Sequence, residues 1–598
     1  MSRSVRLTGR DRTLVAIVAI TAVALLARLV FLGARIAHWD EGRVGYDILR
    51  YMATGAWQYR AIVHGPFLAH VNRIVFLTLG PSDFSARLVV AVIGALLPLS
   101  AWLYREHLRD VELVALALFL AFDPILLYYS RFMRNDVLLA TFAFAALGFY
   151  IRTLDTGKAR YLFVGTACLG LAFTTKENAI VYVAAWLGAL FLLLDHRLFL
   201  ARTTEDGWTT VARRVVGRTA RGLWAWRLPL AVAVLEFVVI WIFFYAPREA
   251  ADGGIGLWAA FAHPSTFPQV IAAATYNPAS CSVAPPATAS PYCNGAIERI
   301  IDLWFGGSNQ NHSYLPFFGD YVKTLGSASG PLALLAVIGF VSDRYAGERP
   351  RDLVAMAFYW GFVSVLGYPI AVDIRAAWTV THAVVPLAIP AAVGVGLIWD
   401  WGREAYAAND RVSVGLAAVV LLLVGGQIAA TAVTTSYLEP QGPNNMLVQY
   451  AQPAGDLHPA LALVSQAARN NRGLDVVWYG SYFLVEDETK ANRLPIGDGD
   501  WYHRLPLPWY LEIDNATVTS TASARELTSL VATQHPPVII TREQDAPDIE
   551  GQLSGYREFT AQGRQPVGGK PSMTFVFFID ERYAGNQGTA PGANTSTG

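Results

Sequence analysis

Apolar residues run in long uninterrupted stretches over the first 436 positions, with polar residues gathered between the stretches rather than alternating with them. A helix crosses a bilayer in about 17 to 22 such residues. Stretches of that kind are expected as spans near 13–34, 86–104, 111–128, 137–151, 161–174, 178–195, 228–246, 329–342, 353–371, 380–399 and 412–433. That makes eleven, of which 137–151, 161–174 and 329–342 are short. Two intervals between spans are long. Residues 35–85 hold amphipathic helix patterns at 44–52 and 66–79, suited to the membrane interface. Residues 247–328 are rich in Pro, Gly, Ser and aromatics without periodicity, a long loop of the kind that is usually functional or disordered. Beyond 437 the pattern changes. Helices are expected at 457–470 and 524–533, and strands at 475–479, 538–541 and 574–579, which predicts an α/β domain over 437–582. Residues 583–598 are rich in Gly, Ala, Thr and Asn and are expected to be disordered.

Composition agrees with the pattern. With 54% hydrophobic and 15% charged residues in 598, and a mean hydropathy of +0.35, the chain is excluded from the ordinary soluble class. It reads as a polytopic α-helical membrane protein, residues 1–436, carrying a separate tail domain. The zero net charge hides an asymmetry, since 35 bases face 28 acids in residues 1–438 and 11 face 18 in residues 439–598. Four arginines precede the first apolar run, which is too long for a signal-peptide core and is taken as a signal anchor and first span.

If the N-terminus is cytoplasmic, every inner connection is basic, from Arg105 and Arg109 through Arg213, Arg214, Arg218 and Arg221 to Arg403 and Arg411, as the positive-inside rule requires. The two long loops and the tail domain then fall outside the cytoplasm. So do the sequons at Asn311, Asn515 and Asn594, and Cys281 and Cys293, which can pair only in an oxidising compartment. Cys168 lies in an apolar run and is assigned to packing. The expected location is the cell membrane, multi-pass, with an extracytoplasmic tail domain.

The unusual polar residues all stand at the outer ends of spans. His38-Trp39-Asp40-Glu41-Gly42 follows the first span directly, and charge at a bilayer surface is expensive unless solvated, paired or used. Asp40 and Glu41 are read as the head of an active site, against the alternative of a solvated acidic loop. Next come Asp123-Pro124 and the turn Tyr128-Tyr129-Ser130-Arg131-Phe132-Met133-Arg134-Asn135-Asp136. Were that turn helical, Arg134 and Asp136 would point to different sides; an interfacial ion-pair cluster with snorkelling arginines is the plainer alternative. Lys176-Glu177-Asn178 and the group Asp373, Arg375 and His382 complete the set.

These residue types permit one chemistry. A carboxylate in contact with water can take the proton of an acceptor hydroxyl, while arginines, a lysine and a histidine can hold a lipid phosphate and stabilise its charge as it leaves. No phosphate loop, dinucleotide fingerprint, zinc-protease motif or Cys/His metal spacing competes, and no cytoplasmic segment is built to bind a nucleotide. In the tail, Trp501-Tyr502-His503 and Pro508-Trp509-Tyr510 could stack on sugar rings through Trp501, Trp509 and Tyr510, or could be buried docking aromatics.

Trp39-Asp40-Glu41, His64-Gly65-Pro66-Phe67-Leu68, the turn from Ser130 to Asp136 and Lys176-Glu177-Asn178 resemble the GT-C superfamily. More narrowly they resemble the branch containing protein O-mannosyltransferases and the lipid A aminoarabinose transferase. The likeness covers residues 1 to about 200, and Arg375-Ala376-Ala377-Trp378 with His382 and Pro386 extends it to about 390. The whole chain resembles an archaeal family, frequent in haloarchaea, of flippase-activity-associated proteins of N-glycosylation. The resemblance implies a polyprenyl- or dolichyl-phosphate sugar as donor, Asp40 as the base that deprotonates the acceptor, and Asp136 as a second acidic motif that shapes the site. His64, Arg131, Arg134, Lys176, Arg375 and His382 are then the phosphate-side candidates, with Gly65 standing where a proline is common. A glycan, protein or lipid is the expected acceptor, and nucleic acid is not a partner. Asp40, Glu41, Asp136 and Glu177 could take a divalent cation through oxygen, but the resemblance implies chemistry without metal or other cofactor. Two functions follow, sugar transfer or assistance to the movement of the lipid-linked sugar. Both need Asp40 within roughly 10 Å of at least two of Arg131, Arg134, Lys176 and Arg375, about the reach of one sugar phosphate.

Overall fold

The computed structural model describes residues 9–62, 64–201, 207–248, 256–276, 295–305, 313–346, 350–372, 374–455, 457–491, 500–564 and 572–584. Cys281, Cys293, Asn311, Asp373, Asn594 and most of 583–598 lie outside them. Eight helices among the described residues are long and apolar enough to cross a membrane. The first is α1 (Gly9–Leu29), followed on the site face by α2 (Trp39–Thr54) and α3 (Phe67–Leu79) and then by the span that begins as α4 (Asp83–Leu96). Next come α5 (Asp110–Phe122), α6 (Pro124–Tyr129), α7 (Asp136–Thr156), α8 (Ala159–Thr175), α9 (Ala179–Ala201), α10 (Trp208–Ala225) and α11 (Arg227–Tyr245). After the short α12 (Leu257–Ala262), α13 (Phe267–Ala274) and α14 (Ala296–Phe305) stand α15 (Tyr314–Tyr345), α16 (Asp352–Ala371), α17 (Thr381–Ala407) and α18 (Arg411–Val433).

Eight of the expected spans correspond to these long helices. The stretch 111–128 is instead two short helices, broken at Asp123-Pro124: Pro124 cannot continue α5, and the Asp123 carboxylate caps α6 by accepting from the N–H groups of Ile125 and Leu126. The stretch at 161–174 forms the 17-residue α8, and 178–195 forms the apolar part of α9 over Ala179–Leu194, both shorter apolar segments than the eight spans.

The middle of the bundle is α17. Some 83% of its apolar window is buried, against 11% for α11 and for α18, which present their apolar faces to lipid. Ala383, Ala388, Ala391, Ala392 and Gly394 let neighbours approach its backbone, the means by which helices pack tightly where lipid offers no hydrophobic drive. On the face away from Asp40 the helix ends are tied by ion pairs. Arg351 reaches Glu112 at 2.7 Å and Asp343 at 2.6 Å, Arg109 grips Glu112 and Asp400, and Arg152 meets Asp155 at 3.1 Å.

The tail is an extramembrane sheet flanked by helices. It contains α19 (Leu457–Asn470), β1 (Val476–Tyr479), α20 (Leu507–Ile513), β2 (Val518–Thr521), α21 (Ala524–Gln534), β3 (Val538–Arg542), β4 (Tyr556–Arg564) and β5 (Met573–Asp580). Strand order is β2-β1-β3-β5-β4, with β1 parallel to β2 and β3 and the last two strands antiparallel. Sequence periodicity finds three of the five strands. It misses β2 and β4 because their burial does not form an apolar run: each carries polar residues on both faces.

This domain docks through the very aromatics expected to bind sugar. Trp509 is 1% exposed and lies in the same continuous core as the membrane helices, its indole N–H donating to Asp83 at 3.1 Å. The Tyr510 hydroxyl donates to the other Asp83 oxygen at 2.9 Å and accepts from the Ala37 N–H at 2.7 Å. Trp501 packs on Tyr46 with ring centres 4.8 Å apart. Gly45 makes the approach possible, because a Cβ there would sit 2.6 Å from the Trp509 ring. The residues expected as sugar contacts thus pack at the docking surface, with Trp501 and Trp509 buried and Tyr510 half-buried against α2 and α4.

Candidate active site

Local rules place Asp40 and Glu41 together on the first turn of α2. His38 is the N-cap, its Nδ1 accepting from the Asp40 N–H at 3.0 Å, and Glu41 completes the capping box by accepting from the His38 N–H at 2.8 Å. From there the two carboxylates diverge. Glu41 turns inward, taking Arg87 at 2.8 and 3.0 Å, Arg35 at 3.0 and 3.4 Å, and the Met133 N–H at 2.7 Å. It is fully enclosed. Burial drives its pKa up, and the attraction of Arg35 and Arg87 outweighs burial and holds it below the usual carboxylate range. Through these contacts Glu41 joins α2, α4 and the turn before α7, a structural part beside the catalytic one expected of it.

Asp40 turns the other way. Its carboxylate accepts from Arg134 at 2.6 Å and faces Arg43 at 3.5 Å, with the His64 Nε2 at 3.9 Å. Burial raises its pKa, but Arg134, with His64 and Arg43 behind it, holds the carboxyl well below its ordinary value. Arg134 also donates to Gln449 at 2.7 Å, lies 3.9 Å over the Trp378 ring, and approaches Asp136 at 3.5 Å. Arg134 and Asp136 thus face one another, because residues 130–135 form an irregular turn rather than the helix that would have separated them. Asp136 in turn accepts from Lys176 at 2.6 Å and meets the His382 Nε2 at 3.3 Å, and the other His382 nitrogen meets the Tyr182 hydroxyl at 2.6 Å. One continuous network therefore runs from Asp40 through Arg134 and Asp136 to Lys176 and His382. Asp40, 15% exposed, is its most open member.

His64 is placed by a close backbone crossing. The Gly65 N–H donates to the Thr175 carbonyl at 2.9 Å, and a Cβ on Gly65 would lie 2.3 Å from the Thr174 oxygen. A proline would bring both a Cβ and the loss of that N–H, so the departure from the family pattern has a local cause. Asn135 lies 3.2 Å from the His64 Nδ1, leaving Nε2 toward Asp40.

Two of the four expected cations are elsewhere. Arg131 donates to the carbonyls of Ala27, Arg28, Val30 and Phe31 and stacks on Tyr437, satisfying the end of α1. Arg375 is exposed and faces Asp320 at 3.6 Å. Only Arg134 touches Asp40, and Lys176 joins it through Asp136. Glu177 points away from the network and accepts from the Tyr59 hydroxyl at 2.7 Å. Among the described residues no three His, Cys, Asp or Glu side chains converge as cation ligands. Sequence reasoning missed Arg43, whose signal is its i+3 spacing from Asp40 on a helix, and missed Arg35, Arg87 and Gln449, for which no local signal exists.

Both histidines beside Asp40 are held neutral by burial, which lowers the pKa of His38 to about 4 and that of His64 to about 3. The His38 Nδ1 accepts the Asp40 N–H, so its other nitrogen donates to the Tyr450 carbonyl at 2.9 Å. Unfolded histidine binds protons below about 6.5, where these two do not, so stability rises with pH over that range. The contribution is complete above about 6.5 and is lost as pH falls toward 4 and then 3. A thermal melt series from pH 7 to 4 should fall by up to about 1.4 kcal/mol per pH unit for each histidine, and replacing His64 with Asn should flatten it.

Two family models match the chain. One, described as Dolichyl-phosphate-mannose-protein mannosyltransferase, covers residues 63–211, and the other, described as Agl23 flippase-associated protein C-terminal domain, covers residues 457–580. The fold matches that of ArnT from Cupriavidus metallidurans in the apo state at a TM-score of 0.53 and 16% identity, over 95% of this chain and 99% of that one. The same enzyme bound to undecaprenyl phosphate matches at 0.53 and 17%, with the same coverage. These matches agree with the resemblance of the sequence motifs to the GT-C superfamily. Residues 63–211 of the membrane part are similar to the mannosyltransferase family and residues 457–580 of the tail to the Agl23 flippase-associated domain. No curated protein matches the sequence. In this chain the first acidic motif, the second acidic motif and the Lys176 turn are brought into one network from three separate connections.

Proposed function

We propose that the protein is a membrane glycosyltransferase that takes sugar from a polyprenyl- or dolichyl-phosphate carrier, with the site on the extracytoplasmic face assigned by loop charge. The observation that carries this reading is Asp40, the most open carboxylate of the network, in direct contact with Arg134 and one acid away from Lys176. With Arg134 upon it, Asp40 is a weak base. A carrier phosphate entering beside Arg134 and Lys176 shares their charge, loosens the Asp40 pair and raises the basicity of the carboxylate. Asp40 then takes the proton as the acceptor oxygen bonds to the anomeric carbon. The bond from that carbon to the phosphate oxygen breaks, and the leaving phosphate keeps the electron pair, stabilised by Arg134 and Lys176. His382 and Tyr182 hold Asp136 and with it the position of both cations.

One observation favours a second reading. The tail matches a domain described as flippase-associated, and in the resting network Asp40 and Asp136 each already hold a cation, as suits a grip on a lipid phosphate without bond breakage. Analysis of glycans from cells deleted for the gene separates the two. Loss of one defined sugar is the expected result. Accumulation of complete lipid-linked glycan on the cytoplasmic leaflet would replace transfer with translocation.

A further inference from the structure

Helix α10 takes no part in the site. It joins the ends of α9 and α11 on the face opposite Asp40, and a single residue, Trp226, separates it from α11. Between Gly207 and Leu228 stand five arginines and no acid. At 3.6 residues per turn Arg213, Arg214, Arg218 and Arg221 fall within roughly a 140° arc, while Ala212, Val215, Val216, Leu223 and Trp226 fall on the opposite side. Val216 is 66% and Leu223 57% exposed, while Ala212, Val215 and Trp226 are half-buried, so the protein covers the apolar face only in part. That face continues into exposed apolar residues of the adjoining spans, Leu187 and Phe191 on α9 and Leu228 and Leu235 on α11, which form part of the lipid-facing surface. Trp224, 72% exposed, stands among the arginines, and tryptophan is favoured at the headgroup level of a bilayer.

We propose that α10 lies in the plane of the membrane on the face opposite the Asp40 site and binds anionic lipid headgroups. Its apolar side enters the acyl boundary and its arginines meet the lipid phosphates. A soluble acidic protein would match the arginines but would leave the apolar side, continuous with the lipid-facing band, without a partner. An anionic lipid satisfies both sides at once.

The test uses the full chain in nanodiscs of phosphatidylcholine alone and of phosphatidylcholine with three parts in ten phosphatidylglycerol, with hydrogen exchange read over residues 208–225. Each arginine near an anionic surface contributes roughly fivefold to attraction, so exchange is expected to slow at least tenfold with phosphatidylglycerol. The difference should vanish in the variant carrying R213Q, R214Q, R218Q and R221Q, while α17 exchanges as before. Equal exchange in the two lipids would overturn the proposal. So would protection that appears only when a soluble protein fraction is added. Both outcomes are read on the wild-type chain and do not depend on the variant folding.

Discussion

Replacing Asp40 with Asn is expected to leave a folded protein that has lost most of its turnover, by a factor of about 10²–10⁴, the range that a general base contributes. Asn occupies the same volume and still accepts from Arg134, so α2 keeps its cap and the turn at 130–135 keeps its contacts. It cannot receive the acceptor's proton. Initial rates in proteoliposomes, with dolichyl-phosphate sugar as donor, measure the loss, and a melt of the same preparation checks the fold. The variant also frees Arg134 from a negative neighbour, so binding of the carrier phosphate should hold or improve while turnover falls. Wild-type turnover in D40N would remove Asp40 as the base and leave the binding reading standing.

The neighbouring substitution should do the opposite. Glu41→Gln leaves Arg35 and Arg87, both buried, facing one neutral amide where a carboxylate now takes four charge-assisted bonds. Breaking a buried pair by removing one partner typically costs about 3–5 kcal/mol, a large share of the 5–15 kcal/mol by which a domain is usually stable. The expected result is a sharp fall in melting temperature and in folded yield, with each surviving folded molecule turning over near the wild-type rate. A stable but inactive E41Q protein would return Glu41 to the chemistry. On the proposed mechanism two adjacent acids on one helical turn would separate into a reacting group and a structural pin. What distinguishes them is the direction in which each side chain leaves α2.

What the sequence by itself determined is the set of properties that depend on neighbours along the chain. Hydropathy located the long helices, because a span must be apolar over its own length, and it located the two interface helices of the first loop. The cap residue before α2 and the periodicity of α19 and α21 are local in the same sense, and so is the break at Asp123-Pro124, which the span expected over 111–128 ran through. The polar residues of the site were also legible, since charge beside an apolar run is rare enough to be noticed singly.

Tertiary structure alone decided which of them meet. Asp40 finds Arg134 across 94 positions, Asp136 finds His382 across 246, and Arg134 finds Gln449 across 315. Nothing in the spacing distinguishes Arg134, which reaches Asp40, from Arg131, which turns to the carbonyls at the end of α1, because both lie on one irregular turn whose path is set by the helices around it. The same holds for Trp509, whose face is buried only because Gly45 lets the tail domain close upon α2. Pairing across the chain depends on helix packing, and helix packing is fixed by many small residues acting together, whereas a local pattern needs only a few.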